Sequence, residues 1–236
     1  QDCNHAANQV LERAQSELKQ SPKLKSNTPD LLTRCYEKEN LVALFSLKNS
    51  CQQERDEDIR DWLKLALTAI LRVTSTAGTA PWQYVLPKRS KAKVLDALTA
   101  FRKQTELMCS DMSQQQNAVG AQGRATLHHC DARDMHPLMD NTIDLVLTSP
   151  PYANNYDYAD ATRLEVTFWF DHDWKQEQQR IKQSLMRSCS QHSSNLKEEA
   201  QHLLNSELLK PIKKELTTQF DALASIKQTR GGKKNY

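Results

Sequence analysis

The sequence predicts an α/β fold in which a partial parallel sheet accompanies a large share of helices. Two observations carry the sheet. Ile143, Leu145, Val146 and Leu147 form a nearly continuous apolar run, the pattern of a strand buried on both faces. That run ends abruptly at Ser149-Pro150-Pro151-Tyr152. Neither proline can donate to a ladder, each fixes φ at about −65°, and Pro150 biases Ser149 toward an extended conformation. The corner is therefore stiff and ends in an aromatic ring, at the strand edge where open α/β sheets bind ligands. A third observation carries the helices: over most of the remaining chain, apolar residues recur at helical spacing.

Taken in order, residues 6–20 read as a polar helix stopped by Ser21-Pro22. Thr28 is expected as an N-cap with Pro29 in the first helical position. Leu31, Leu32, Cys35 and Tyr36, then Leu41, Val42, Leu44 and Phe45, continue at helical spacing, as one helix or as two joined near residues 38–40. Residues 54–75 are the most hydrophobic helix. Its Ile59, Trp62, Leu63, Ala66, Leu67, Ile70, Leu71 and Val73 cover more than one face, so it should be largely buried. Residues 82–87 follow as a short extended piece. The helix predicted over 90–111 turns Val94, Leu95, Leu98, Phe101 and Leu107 inward, and its Lys88–Lys93 cluster reads as a solvated face. A polar loop then leads to a second expected strand, residues 126–130, ending at Asp131. Past Tyr158 the chain reads as helical, over 159–170, 174–189 and 196–209. Pro211 opens a last helix with Ile212, Leu216, Phe220, Leu223 and Ile226 on one face.

Composition narrows the class. The chain has 236 residues, 38% hydrophobic and 26% charged, with a net charge of +3. No run of about 18 apolar residues is present, so no membrane-spanning helix is expected, and the N-terminus has no apolar signal core. Cys3, Cys35, Cys51, Cys109, Cys130 and Cys189 are scattered without any C-x-x-C pair. They fit reduced thiols of a cytoplasmic protein rather than a disulfide frame or a metal site. The weak positive charge permits nucleic-acid binding without arguing for it.

The corner in its context is more specific. Thr148-Ser149-Pro150-Pro151-Tyr152 behind an apolar strand resembles the catalytic motif of the amino-methylating DNA methyltransferases, closest to the branch with many cytosine-N4 enzymes and near the adenine-N6 ones. Asn154, Tyr156, Asp157, Tyr158, Arg163, Leu164 and Glu165 resemble that family's continuation. The resemblance is firm over residues 125–169 and suggestive over 30–124. It implies a Rossmann-like class I methyltransferase sheet, S-adenosylmethionine as cofactor and DNA as partner, as in restriction-modification systems. It also implies that Asp131 approaches the cofactor adenine. Ser149 Oγ and the Pro150 carbonyl would accept hydrogen bonds from an exocyclic amine, while Pro151 stiffens the corner. Tyr152 would stack on a base flipped out of the duplex. Asn154, Tyr156 and Tyr158 are candidate substrate contacts, although the two tyrosines serve equally well as packing aromatics. No metal and no cysteine nucleophile are called for.

The mismatch is equally specific. The chain has five glycines and no G-x-G, whereas the family holds the methionine end of its cofactor with a glycine-rich turn. Residues 1–169 are accordingly expected to be an incomplete catalytic domain with a helical N-terminal part, and 170–236 a helical insertion or target-recognition segment. Missing N- and C-terminal segments of the same domain, or a partner chain, would supply the rest. RNA or protein-amide methylation, and an inactive nucleic-acid-binding module, are the competing functions.

Overall fold

The computed structural model describes residues 3–79, 85–91, 93–117, 125–135, 137–149, 157–185 and 197–230. The chain divides into two compact units, Gln1–Met139 with Asp160–Arg180, and Asp140–Ala159 with Ile181–Tyr236.

The first unit is built on helices α1 (Cys3–Lys19), α2 (Asp30–Cys35), α3 (Lys38–Gln52), α4 (Glu57–Ile70) and α5 (Ala97–Asn117). In α1, the small or branched Ala6, Ala7, Val10, Leu11 and Ala14 make one buried stripe, and α3 and α5 pack on it. Helix α1 stops where Ser21 takes a positive φ of 52° ahead of Pro22. Helix α4 is fixed locally at its start: the Asp56 carboxylate accepts from the Ile59 N–H at 3.1 Å, and Glu57 and Asp58 face the positive end of the helix. Its Ile59, Leu63, Ala66, Leu67 and Ile70 then point into the core. Helix α5 is capped likewise, with Asp96 accepting from the Thr99 N–H at 2.8 Å.

Between α4 and α5 lies an antiparallel pair, β1 (Ala77–Thr79) and β2 (Val85–Ser90), with a register shift between Ala77 and Gly78. Later in the chain, α6 (Tyr158–Ala161) precedes α7 (Arg163–Phe170), which inserts Leu164 and Phe168 into the same core, both fully buried. A 3₁₀ turn, Asp171–Asp173, leads into α8 (Trp174–Ser184).

The second unit holds α9 (Lys197–Leu204), a 3₁₀ turn at Lys210–Ile212 and α10 (Lys213–Arg230). Leu216, Phe220, Leu223 and Ile226 share one side of α10 and remain exposed. No helix among the described residues is long and apolar enough to cross a membrane.

The α/β expectation is overturned. Among the described residues the one sheet is the two-stranded antiparallel pair, and the rest of the regular structure is helical. Neither residues 126–130 nor 143–147 form a strand. Leu127 is 96% exposed and Leu147 86%, with Leu145 and Val146 close behind. An apolar strand is stable only with a ladder on its edges and layers on its faces, and the described residues supply neither around this run. No Rossmann-like sheet is present among the described residues.

Smaller differences have local causes. Pro29, not Thr28, precedes the first turn of α2, and the Thr28 hydroxyl donates back to the Lys25 carbonyl at 2.7 Å. The helix expected from residue 90 begins at Ala97, because Lys88 and Arg89 belong to β2. Leu107, expected inward, is exposed, as the last turns of α5 run beyond the core.

Candidate functional site

The stretch singled out by its sequence is extended and accessible. Residues 141–149 are exposed and carry no regular structure, and Ser149 ends them with its side chain open to solvent. Pro150, Pro151, Tyr152, Asn154 and Tyr156 lie outside the described residues. Tyr158 is half-buried at the start of α6. Just before it, Asp157 is buried and pairs with Lys182 at 3.3 Å within the second unit.

Asp131 is held by its neighbour two residues on. Both of its carboxylate oxygens accept from the Arg133 guanidinium, at 2.6 to 3.1 Å, and one also accepts from the Arg133 backbone N–H at 2.9 Å. These bonds, chiefly the one from the side chain, pull the Asp131 carboxyl down to about 2. The carboxylate is therefore ionised at any physiological pH and engaged by a guanidinium, with part of its side chain still open to solvent. An incoming cofactor amine would share that carboxylate with Arg133. With residues 125–135 largely exposed and no G-x-G in the sequence, the described residues do not fit S-adenosylmethionine.

The buried polar chemistry lies elsewhere, in the first unit. Arg72, in the turn just after α4, donates to Glu165 of α7 at 2.6 and 3.3 Å and to the Ala161 carbonyl. Asn40 spends its amide on three backbone groups: the Thr74 and Leu95 carbonyls accept at 3.0 and 2.9 Å, and the Ala97 N–H donates at 2.8 Å. Lys48 reaches from α3 to the Phe168 and Trp169 carbonyls at the end of α7, at 2.7 and 3.1 Å. Sequence inspection missed all three. Glu165 stood out only as part of a motif, and its partner Arg72 lies 93 residues earlier. Among the described residues, no three His, Cys, Asp or Glu side chains gather as a metal site.

Comparison of the chain with protein-family models, with curated proteins and with solved structures finds no match.

Proposed function

We infer that this chain carries the catalytic corner of an S-adenosylmethionine-dependent DNA methyltransferase acting on the exocyclic amine of cytosine or adenine. One observation carries the inference: an apolar run, Ile143–Leu147, passes directly into Thr148-Ser149-Pro150-Pro151-Tyr152, with Asp131 a short linker upstream. The exposure of Ser149 supports it, because a substrate amine needs access to that hydroxyl.

An exocyclic amine is a poor nucleophile because its lone pair is delocalised into the ring. Ser149 Oγ and the Pro150 carbonyl answer this by accepting from its two N–H groups, which returns the lone pair to nitrogen. The paired prolines hold those acceptors in place before the base arrives, so little reorganisation is needed. Tyr152 stacks on the extruded base, and Asn154, Tyr156 and Tyr158 line its approach. The cofactor supplies the methyl group. Its binding is assigned to segments of the domain outside this sequence or to a partner chain, since this sequence lacks the glycine turn.

The test is transfer of labelled methyl groups to DNA, RNA and protein by the full reading frame containing this chain. Incorporation into DNA is expected, with a loss of at least about 100-fold in Ser149→Ala and Tyr152→Ala. Activity unchanged in both variants would dismiss the site. Label in RNA or protein instead would reassign the substrate. The missing glycine turn favours a second reading, a methyltransferase-like nucleic-acid-binding module without activity. Calorimetric binding of S-adenosylmethionine by the full reading frame argues against it. The 236 residues alone are expected to show no such binding.

A further inference from the structure

Away from the Ser149 corner, the first unit contains a cleft of about 310 Å³ between the end of α1, the 22–28 loop, α3 and Asp171. That volume is at the small end of the range for ligand sites. Leu24, Val42 and Phe45 supply an apolar wall, and Lys23, Lys25 and Lys48 supply positive charge. Glu17 and Asp171 also line the cleft, but the Glu17 carboxylate already accepts from Asn49 at 3.2 Å. Three cations against two acids leave the lining net positive.

Lys48 is the unusual member. It is only 9% exposed, and its ammonium sits 5.2 to 5.9 Å from the centres of the Phe168, Trp169 and Phe45 rings. An ammonium has three N–H donors. The Phe168 and Trp169 carbonyls take two, and no other acceptor for Lys48 is found among the described residues. A buried cation with donor capacity left over therefore lines a cleft of mixed polar and apolar character. The backbone on both sides is strained as well. Asp171 takes a φ of 49°, and Ser21, immediately before the lining residue Pro22, takes 52°. Two left-handed residues that are not glycine are costly, and such strain gathers at ligand sites.

We propose that this cleft binds a small organic anion, with an acidic head toward the lysines and an apolar body along Leu24, Val42 and Phe45. A bare inorganic anion would leave that wall wet. A neutral apolar molecule would leave the Lys48 donor unused, and an amine would face three like charges. The site is independent of the methyltransferase chemistry and belongs wholly to the first unit.

Phenylbutyrate is a suitable probe, with phenylbutylamine and inorganic phosphate as matched controls, titrated into the 236-residue chain by calorimetry. Phenylbutyrate is expected to saturate at one site with a dissociation constant below about 1 mM. Both controls should bind at least about tenfold more weakly. Lys23→Ala/Lys25→Ala changes only exposed side chains, so it should leave folding intact and weaken phenylbutyrate by about tenfold or more. Val42→Trp, which fills the cleft without altering charge, should abolish binding. Absence of saturation, equal binding of the amine, or full affinity in the lysine double variant would each overturn the proposal.

Discussion

Lys48 places a full positive charge where most helices would bury a methyl group. Burial lowers its pKa from the usual 10.5, with Asp171 opposing that shift and Lys25 adding to it. What retains the charge is the C-terminal end of α7, whose last carbonyls need donors and favour a cation. Lys48→Ala is expected to lower unfolding free energy by about 2–3 kcal/mol, from lost stem packing and unpaired carbonyls. Lys48→Met should cost less, because the stem is kept and no charge is buried. Urea denaturation of the three proteins checks the order. The buried thiols make a separate claim. Burial pushes Cys51 from 9.0 to about 12 and Cys35 to about 11. Each folded-state pKa is raised, so the folded state binds more protons between those values. Stability is complete below 9.0 and is lost as pH climbs through the window, by up to about 1.4 kcal/mol per pH unit per thiol. Tyr36, also raised by burial, adds to the loss. Lys48 and Lys91, both lowered, oppose it. Cys51→Ala should flatten the alkaline fall in melting temperature, and an unchanged slope would show that the thiol does not report it.

At the scale of elements, α7 is joined to the N-terminal helices by bonds that span most of the first unit. The Arg72–Glu165 pair is about one-fifth exposed on each side. Trp169 Nε1 donates to Thr68 Oγ1 at 2.9 Å, and the Phe45 and Phe168 rings stack at 5.6 Å. Removing one partner of a mostly buried pair leaves the other charge uncompensated. Arg72→Met is therefore expected to cost about 2–3 kcal/mol, after allowance for screening of the exposed part. Hydrogen exchange should rise first in residues 160–170. Protection there equal to wild type would mean that packing of Leu164 and Phe168 alone holds α7. The α4 periodicity was readable because one helix face meets one core. Lys48, Arg72 and Asn40 were not, since Asn40 and Lys48 are ordinary polar residues of α3 and Arg72 of the turn after α4, and each gains meaning only from a group distant in sequence.

At the scale of the whole molecule, the helical content was legible in the sequence, whereas the parallel sheet expected from it is not formed among the described residues. Apolar runs such as Ile143–Leu147 look the same whether or not neighbours cover them, because a run specifies a preference for burial and no partner. Here the run is exposed. Leu147→Asp should consequently change the stability of this chain by less than about 0.5 kcal/mol, measured by thermal unfolding. The same substitution should lower methyl transfer in the full reading frame, where the inferred site needs an ordered corner. A large destabilisation of the 236-residue chain would show that the run is packed after all.

Sequence alone located most helical segments approximately, through apolar spacing and the Ser21-Pro22 stop, because these act over a few residues, while the Asp56 and Asp96 caps emerged only with the structure. It also singled out the Ser149–Tyr152 corner as the inferred site, because that inference rests on neighbouring residue types. The tertiary structure alone decided that residues 126–130 and 143–147 form no sheet, that Arg133 occupies Asp131, and that Lys48 and Arg72 fasten α7. Burial, ladder partners and long-range ion pairs depend on what the rest of the chain brings alongside, and no local window of sequence contains that.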